Sequence, residues 1–259
     1  MSKKSWFLKI FALFSFLAMV TINALANILP INGVSTGAVS DKYSNLFAPA
    51  GFTFSIWGLI YLLLSVYTLY QLGLFKNNTD KKLIGNINKY FIISSWLNFL
   101  WILAWHYDFI ALSVLIIVLI LLCLIKIANH LKKERLSTKE KILLSWPFSI
   151  YFGWITVATI ANITTWLVSL NWNGFGVSDL TWLILVLLIG AVIGVRRGLR
   201  DKNIPYLLVF MWAYFGIWFK HTDPNAFNFQ YPAAVYTILF LEAIFFLSII
   251  KVIRIENKA

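Results

Sequence analysis

Three apolar runs of the sequence carry tryptophan in company with tyrosine, asparagine or alanine at helical spacing. The residues concerned are Trp57 with Tyr61, Asn98 with Trp101, and Trp154 with Ala158 and Asn162. Residues three or four positions apart lie on the same face of a helix. Small residues and amides on such a face favour contact with other helices rather than with lipid. Because indole and phenol rings stack on flat molecules while amides anchor polar atoms, we expect these faces to bind a flat hydrophobic ligand.

Glu242 is the acidic residue that lies well inside an apolar run. An ionisable side chain at that depth of a membrane is costly, so it is a candidate for function, here as a proton carrier. The structural alternative is a protonated carboxyl group that is hydrogen-bonded to a neighbouring helix. Asn98, Asn162 or a tyrosine would then be its partner.

The sequence offers little for metal binding or covalent catalysis. None of the three histidines pairs with another at the four-residue spacing of a helical metal site. Two turns repeat a pattern, His106-Tyr107-Asp108 and His221-Thr222-Asp223. They could converge on a metal, but we expect exposed turn residues and no metal. With Cys123 as its one cysteine, the chain has no disulfide framework and no cysteine metal motif, and neither a nucleophile elbow nor a phosphate-binding loop is present.

The composition identifies the class of protein. The chain has 259 residues, of which 60% are hydrophobic and only 12% are charged, whereas charged residues make up about a quarter of a soluble domain. We therefore expect an integral membrane protein. The net charge of +12 is dispersed between apolar runs rather than gathered on a polar domain, so we expect no nucleic acid partner.

Eight apolar runs have the length of a membrane-spanning helix, which is about 17–25 residues. They cover residues 6–28, 51–75, 89–105, 109–128, 143–170, 180–196, 204–219 and 232–251. The run 143–170 is longer than a span requires and should tilt or protrude. The first run ends in Ala24-Leu25-Ala26, which also resembles the end of a cleavable signal, but we expect a retained helix because the apolar stretch continues beyond it.

The basic residues indicate the orientation of these spans. Of the 22 Lys and Arg residues, all except Lys42 and Lys220 fall at the chain termini or in alternate connections. Because cytoplasmic loops carry the excess of Lys and Arg, we expect both termini in the cytoplasm, in the cell membrane. The first outer loop, 29–50, is the longest and leads into Pro49, a plausible helix start. It is either a lid over the helices or a solvated linker.

The three aromatic runs resemble the translocator protein family, also called tryptophan-rich sensory proteins or peripheral-type benzodiazepine receptor homologues. Its second helix carries Pro-Pro and then Val-Trp-x-x-Leu-Tyr, its third Leu-Asn-x-x-Trp, and its fifth Pro-Tyr-x-x-Trp-x-x-x-Ala-x-x-Leu-Asn. The corresponding segments are Ala48-Pro49 with Ile56-Trp57-Gly58-Leu59-Ile60-Tyr61, Leu97-Asn98-Phe99-Leu100-Trp101, and the run from Ile150 to Asn162. Ala48 and Ile150 replace family prolines, and Thr53 stands where the family has phenylalanine.

The resemblance covers residues 1–170 and implies an all-α fold, a polytopic membrane bundle with a five-helix ligand-binding core. Residues 171–259 would add three membrane helices. The family's pocket residues correspond to Trp57, Tyr61, Asn98, Trp101, Trp154 and Ala158, and its ligands include tetrapyrroles such as protoporphyrin IX. The tyrosine-arginine pattern proposed for cholesterol contact is missing, so we expect a planar ligand rather than a sterol.

We therefore expect a membrane protein that binds a porphyrin-like ligand in an aromatic pocket, where Trp57 and Trp154 either sandwich the ligand or line its face. The partners are this small molecule and membrane lipids, and a homodimer is carried as an alternative to a monomer. No cofactor is expected, since a porphyrin would be a ligand. Two other functions stay open: proton-coupled transport of a hydrophobic molecule through Glu242, and light-dependent degradation of porphyrin.

Overall fold

The computed structural model describes residues 3–75 and 79–257, with side chains from Trp6 onward, and this part of the chain is helical without strands. The helices are α1 (Lys3–Ile28), α2 (Thr36–Lys42), α3 (Ile56–Leu72), α4 (Lys81–His106), α5 (Ile110–Leu131), α6 (Thr138–Ser169), α7 (Asp179–Asp201), α8 (Ile204–Thr222) and α9 (Pro232–Glu256). A 3₁₀ turn, Gly51–Ser55, leads into α3. Lys76 and Lys258, which belong to the basic pattern, lie outside the described residues.

The long helices correspond to the eight predicted spans, so the predicted all-α membrane bundle is confirmed. Two of them begin earlier than hydropathy indicates. The side chain of Asp80 accepts a hydrogen bond from the Lys82 amide at the start of α4. Ser137 and Glu140 form a reciprocal capping box at the start of α6. Hydropathy misses these first turns because they are polar, whereas capping depends on polar side chains.

Within the described residues, six helices are long and apolar enough to cross a membrane: α1, α3 with its 3₁₀ turn, α5, α6, α7 and α9. The helices α4 and α8 are less apolar because they carry amide, hydroxyl and aromatic side chains. Many of those side chains are buried inside the bundle, among them Ser94, Ser95 and Asn98 of α4 and Tyr206 and Tyr214 of α8. A helix with protein neighbours can keep such groups because the neighbours satisfy them.

The last three helices pack directly on the first part of the chain. Gly153 of α6 lies so close to α8 that a Cβ atom there would be 2.9 Å from the Cβ of Val209. On its other side, α8 packs its large side chains onto a row of glycines along α7. The close pairs are Gly190 with Tyr214, Gly194 with Phe210, and Gly198 with Leu207. Small residues thus bring three helices into close contact, and buried side chains form one core from Ala12 to Val252.

Candidate functional site

Five of the seven predicted pocket residues surround one small cavity beneath the first outer loop. They are Trp57, Trp101, Trp154, Ala158 and Asn162. The remaining lining residues come from the outer loop, the start of α3, α4, α6 and α8: Ser40, Phe47, Pro49, Phe54, Trp105, Val157, Ala161, Thr165, Ala213 and Ile217. The volume of the cavity is about 40 Å³, which holds a few water molecules. The site in this conformation is therefore closed around very little space.

The indole of Trp57 is the centre of the aromatic cluster. Its ring lies 5.5 Å from the Tyr61 ring in a stacked arrangement and 6.3 Å from the Trp101 ring. Trp57 and Trp154 are 6.2 Å apart with an interplanar angle of 86°. They therefore touch edge to face, as aromatic pairs prefer. A planar ligand held between them needs parallel faces about 7 Å apart, so one indole must turn before such a ligand can enter.

Asn98 and Tyr61 lie behind the cavity wall rather than in it. The Asn98 side chain accepts a hydrogen bond from Asn23 of α1 (2.7 Å) and donates one to the Tyr151 hydroxyl of α6 (3.2 Å). This buried chain of polar groups joins three helices. Tyr61 stacks on Trp57, and its hydroxyl is buried without a hydrogen-bond partner in the described part of the chain. Both residues support the wall that Trp57 and Trp154 form.

Asn162 fixes the orientation of a second indole. Its side-chain oxygen accepts a hydrogen bond from Trp101 Nε1 at 2.9 Å, and its amide group donates to Ser113 of α5 at 2.8 Å. The indole nitrogen of Trp154, by contrast, is buried and has no partner among the described residues. The Trp154 indole thus carries an unused hydrogen-bond donor that is buried in this conformation, and a ligand with an acceptor atom could satisfy it once the indole turns.

The outer loop 29–50 covers the cavity and is ordered by its own side chains. Its helix α2 starts at Ser35, whose hydroxyl caps the amide of Ala38. Further on, the side-chain oxygen of Asn45 accepts hydrogen bonds from the Phe47 and Ala48 amides. This turn places Phe47 and Pro49 over the cavity.

The turn between α4 and α5 holds one side of this loop. His106 Nδ1 donates to the Ile31 carbonyl (3.1 Å), so His106 Nε2 accepts from the Thr36 hydroxyl at the same distance. Trp105 Nε1 donates to the Thr36 carbonyl at 3.1 Å. We call these contacts, together with those of Asp108, the first latch.

Asp108 adds an ionic part to the first latch. Lys42 and Tyr43 both donate hydrogen bonds to its carboxylate. The hydrogen bond to Asp108 raises the pKa of Lys42 above its usual 10.5. Burial, and then the same carboxylate, raises the pKa of Tyr43. Since the pKa of Lys42 is higher in the folded protein, the contribution of this pair to folding is complete below pH 10.5 and is lost as the pH rises through the raised value.

The end of α8 holds the other side of the loop and forms the second latch. His221 Nε2 donates to the Leu46 carbonyl at 2.9 Å, and Lys220 pairs with Asp41 at 3.0 Å. The Ala50 amide donates to the Gly216 carbonyl at 3.0 Å. Both repeated turns of the sequence therefore bind the same loop, the first through His106 and Asp108 and the second through His221.

The prediction that these histidines are exposed turn residues is wrong, because His106 and His221 are only 1% and 0% exposed. Hydrogen bonds to loop carbonyls explain their burial. No group of three metal-binding side chains lies in residues 3–75 and 79–257.

Thr53 packs against the backbone of α8. It is fully buried, and a Cβ atom on Gly216 would lie only 2.0 Å from its hydroxyl oxygen. Trp212 Nε1 donates to the Thr53 carbonyl at 2.9 Å. A phenylalanine at position 53 would collide with α8, which explains why this chain carries a small residue where the translocator protein pattern has an aromatic one.

Several of the residues that line the cavity were not predicted from the sequence. Trp105 lies four positions after Trp101 and thus on the same helix face, so the spacing could have identified it. Ala213 and Ile217 of α8 carry no such signal. Their place in the wall depends on how α8 packs against α6, which a single sequence does not encode locally.

Glu242 lies on α9, away from the cavity lining. One of its carboxyl oxygens is buried and has no hydrogen-bond partner among the described residues. The prediction that Asn98 or Asn162 is the hydrogen-bond partner of Glu242 is wrong. Asn98 binds Asn23 and Tyr151, and Asn162 binds Trp101 and Ser113.

A family model described as TSPO-like protein matches residues 9–251. The matched range continues past residue 170 through α7 and α8 and most of α9, so the similarity is not confined to the first five spans. No curated protein and no solved structure matches the chain.

Proposed function

Because the chain belongs to the TSPO-like protein family, we propose that it binds a flat hydrophobic small molecule, such as a porphyrin, in the aromatic cavity under loop 29–50. The observation that carries this proposal is the meeting of Trp57, Trp101 and Trp154 with Ala158 and Asn162 around one cavity. These side chains come from three helices, and three large indoles at one enclosed place offer the flat apolar contact that an aromatic ligand needs.

Binding must enlarge the cavity. Its volume is about 40 Å³, while pockets for ligands of drug size hold roughly 300–1,000 Å³. The loop above it is attached through side chains and a few backbone hydrogen bonds, so its displacement breaks local contacts and leaves the helices intact. We infer that the ligand enters as the loop lifts and Trp57 or Trp154 turns, and that an acceptor atom on the ligand pairs with Trp154 Nε1.

The membrane setting fits this ligand class. Large apolar side chains such as Leu62, Leu115, Val192 and Phe240 are exposed on the outside of the bundle, where they contact lipid. A hydrophobic ligand can therefore reach the protein from the bilayer. The basic residues at one end of the bundle support an orientation in the cell membrane with both termini in the cytoplasm.

Titration of protoporphyrin IX into the purified full chain, followed by the porphyrin absorption band, tests the proposal. The double variant Trp57→Ala with Trp154→Ala should weaken binding at least tenfold. Trp6→Ala is the matched control, because Trp6 is exposed and remote from the cavity lining, and it should leave the affinity unchanged. Equal affinity of the double variant and the wild type would remove the cavity from consideration as the binding site. A chemically altered porphyrin, recovered after illumination of the complex, would instead assign an enzymatic role.

Proton-coupled transport is the second candidate, favoured by the buried and unpartnered carboxyl oxygen of Glu242. If Glu242 carries the proton, uptake of a porphyrin into proteoliposomes should depend on a pH gradient, and Glu242→Gln should abolish that dependence while binding persists. Gradient-dependent uptake that is the same in Glu242→Gln and wild type would exclude Glu242 as the carrier.

A further inference from the structure

A second and much larger opening lies at the other end of the bundle, where α5 ends, α6 begins and α7 turns into α8. We call it the inner cleft, and its volume is about 690 Å³. It lies on the side that the basic residues assign to the cytoplasm. The aromatic cavity is at the opposite end, so the inner cleft is a separate site.

Basic side chains from four segments line the inner cleft: Lys132 at the end of α5, Lys141 in α6, Arg200 at the end of α7 and Lys202 in the following turn. They converge although they are far apart in the sequence. Cations of separate elements gathered around one opening create a positive potential there, which draws anions.

Asp201 organises the floor of the inner cleft. Its carboxylate lies 2.9 Å from Lys132 Nζ, 2.5 Å from Arg197 Nε and 3.8 Å from Arg200 Nε. One negative charge shared by three cations leaves positive charge uncompensated. The Asp201 side chain is only 6% exposed, so this arrangement is fixed by its surroundings.

The remaining charges do not cancel this excess. Lys141 is paired with Glu256 at 2.9 Å. Lys202 has no ion-pair partner among the described residues, and the Arg200 side chain is 62% exposed. With Arg197, five cations face the three carboxylates of Glu134, Asp201 and Glu256. Arg200 and Lys202 are thus the groups that remain available to a ligand.

One wall of the inner cleft is apolar and continues onto the outside of the bundle. Ile142 and Trp146 line the cleft and are 42% and 44% exposed. They lie in and just after a π-helical turn, Lys141–Ser145, a local widening of a helix that is frequent at functional sites. A molecule bound here would contact cations at one end and an apolar, lipid-facing surface at the other.

We propose that the inner cleft binds a phosphate-bearing anion, with Arg200 and Lys202 on the phosphate and any acyl chain along Ile142 and Trp146. Guanidinium and ammonium groups form charge-assisted hydrogen bonds with phosphate oxygens. Basic pockets between membrane helices on the cytoplasmic side bind lipid headgroups. The phosphate can be that of an anionic membrane lipid or of a free phosphorylated compound.

The test uses the purified full chain in a neutral detergent and native mass spectrometry to count bound molecules. The probes are phosphatidylglycerol, phosphatidylcholine and inorganic phosphate. The variant combines Arg200→Gln with Lys202→Asn, since Lys202 has a φ of 49° and asparagine accepts that conformation. Lys251→Gln is the matched control, because Lys251 is an exposed cation on the same side of the membrane that does not line the cleft.

Wild type and Lys251→Gln should bind phosphatidylglycerol at least tenfold more tightly than phosphatidylcholine, and the double variant should lose this preference. Competition by millimolar inorganic phosphate would support the anion site and identify a free phosphate as its ligand. Absence of that competition, with the preference retained, would identify the lipid. Equal phosphatidylglycerol binding by wild type and double variant, or an equal loss in Lys251→Gln, would overturn the proposal.

Discussion

At the scale of single residues, the amide side chains of this bundle hold aromatic rings in place. The sequence predicted that Asn98, Asn162 and the indoles share the interior, since buried amides need partners. It did not predict which amide binds which ring. That choice depends on the rotation of each helix about its axis, and a shift of one residue would turn each side chain by about 100° and break these contacts.

Replacement of Trp101 by phenylalanine tests the value of one such contact. The change removes the donor to Asn162 and keeps most of the apolar surface, so we expect a loss of about 1 kcal/mol in the free energy of unfolding. Chemical denaturation in detergent measures it. Trp96→Phe is the control on the same helix, because the Trp96 indole contacts Phe14 and Phe99 and makes no hydrogen bond within the described residues. An equal loss in this variant would show that the Trp101 hydrogen bond contributes nothing.

Gly216 provides a second prediction at this scale. Alanine at position 216 would bring its Cβ atom to 2.0 Å from Thr53 Oγ1, and overpacking of this kind costs about 1–3 kcal/mol. We expect a lower thermal stability of Gly216→Ala, partly restored when Thr53→Ala is added. Additive losses in the double variant would show that the two residues do not compete for this space.

At the scale of elements, hydropathy and charge predicted the long helices but not what joins them. Loop 29–50, for which the sequence left a lid and a solvated linker open, is held by His106 and His221. The sequence did not reveal the burial of these histidines, because histidine in a polar turn looks the same whether it is exposed or hydrogen-bonded. The first turn of α6 was missed because Ser137 and Glu140 act through capping and not through hydrophobicity.

The two latches should hold the outer loop independently. Loss of either histidine removes a hydrogen bond to a loop carbonyl, so the loop should open more often. His106→Ala and His221→Ala should therefore each increase hydrogen–deuterium exchange of residues 29–50. His130→Ala is the matched control, since His130 lies at the other end of the bundle, beside Tyr90. Exchange that rises uniformly along the chain would indicate global destabilisation and contradict a local latch.

At the scale of the whole molecule, the sequence motifs suggested a five-helix core in residues 1–170 and an added unit in 171–259. The close packing of Gly153 on Val209 and of Thr53 on Gly216 joins these parts. The sequence motifs did not reveal this packing, because they lie on α3, α4 and α6 alone. The contacts depend on glycines whose role is visible only when the helices are in place.

Truncation after residue 170 tests whether the first part is self-sufficient. The fragment lacks Ala213 and Ile217 of the cavity wall and the second latch. We therefore expect a poorly folded fragment without porphyrin binding, as judged by size-exclusion chromatography and absorption titration. Co-expression with residues 171–259 should restore both properties. A monodisperse fragment that binds like the full chain would establish residues 1–170 as an independent domain.

The orientation can be tested with single cysteines at opposite ends of the bundle. With both termini in the cytoplasm, an impermeant maleimide should label Ser44→Cys on intact cells and label Arg135→Cys only after lysis, because both positions are exposed. The native Cys123 is buried and contributes a low background. Labelling of Arg135→Cys on intact cells, and of Ser44→Cys only after lysis, would show that both termini lie outside the cytoplasm.

The positions of the two latches in the sequence set the order in which the outer loop is fixed during synthesis. Loop 29–50 is synthesised first, the first latch follows once residues 105–108 have been made, and His221 is added some 170 residues after the loop it holds. The growing chain therefore holds an aromatic site with only half of its roof until α8 is inserted. If the chain binds the proposed ligand, a molecule that is present during synthesis has a route into the cavity that does not require the finished loop to lift.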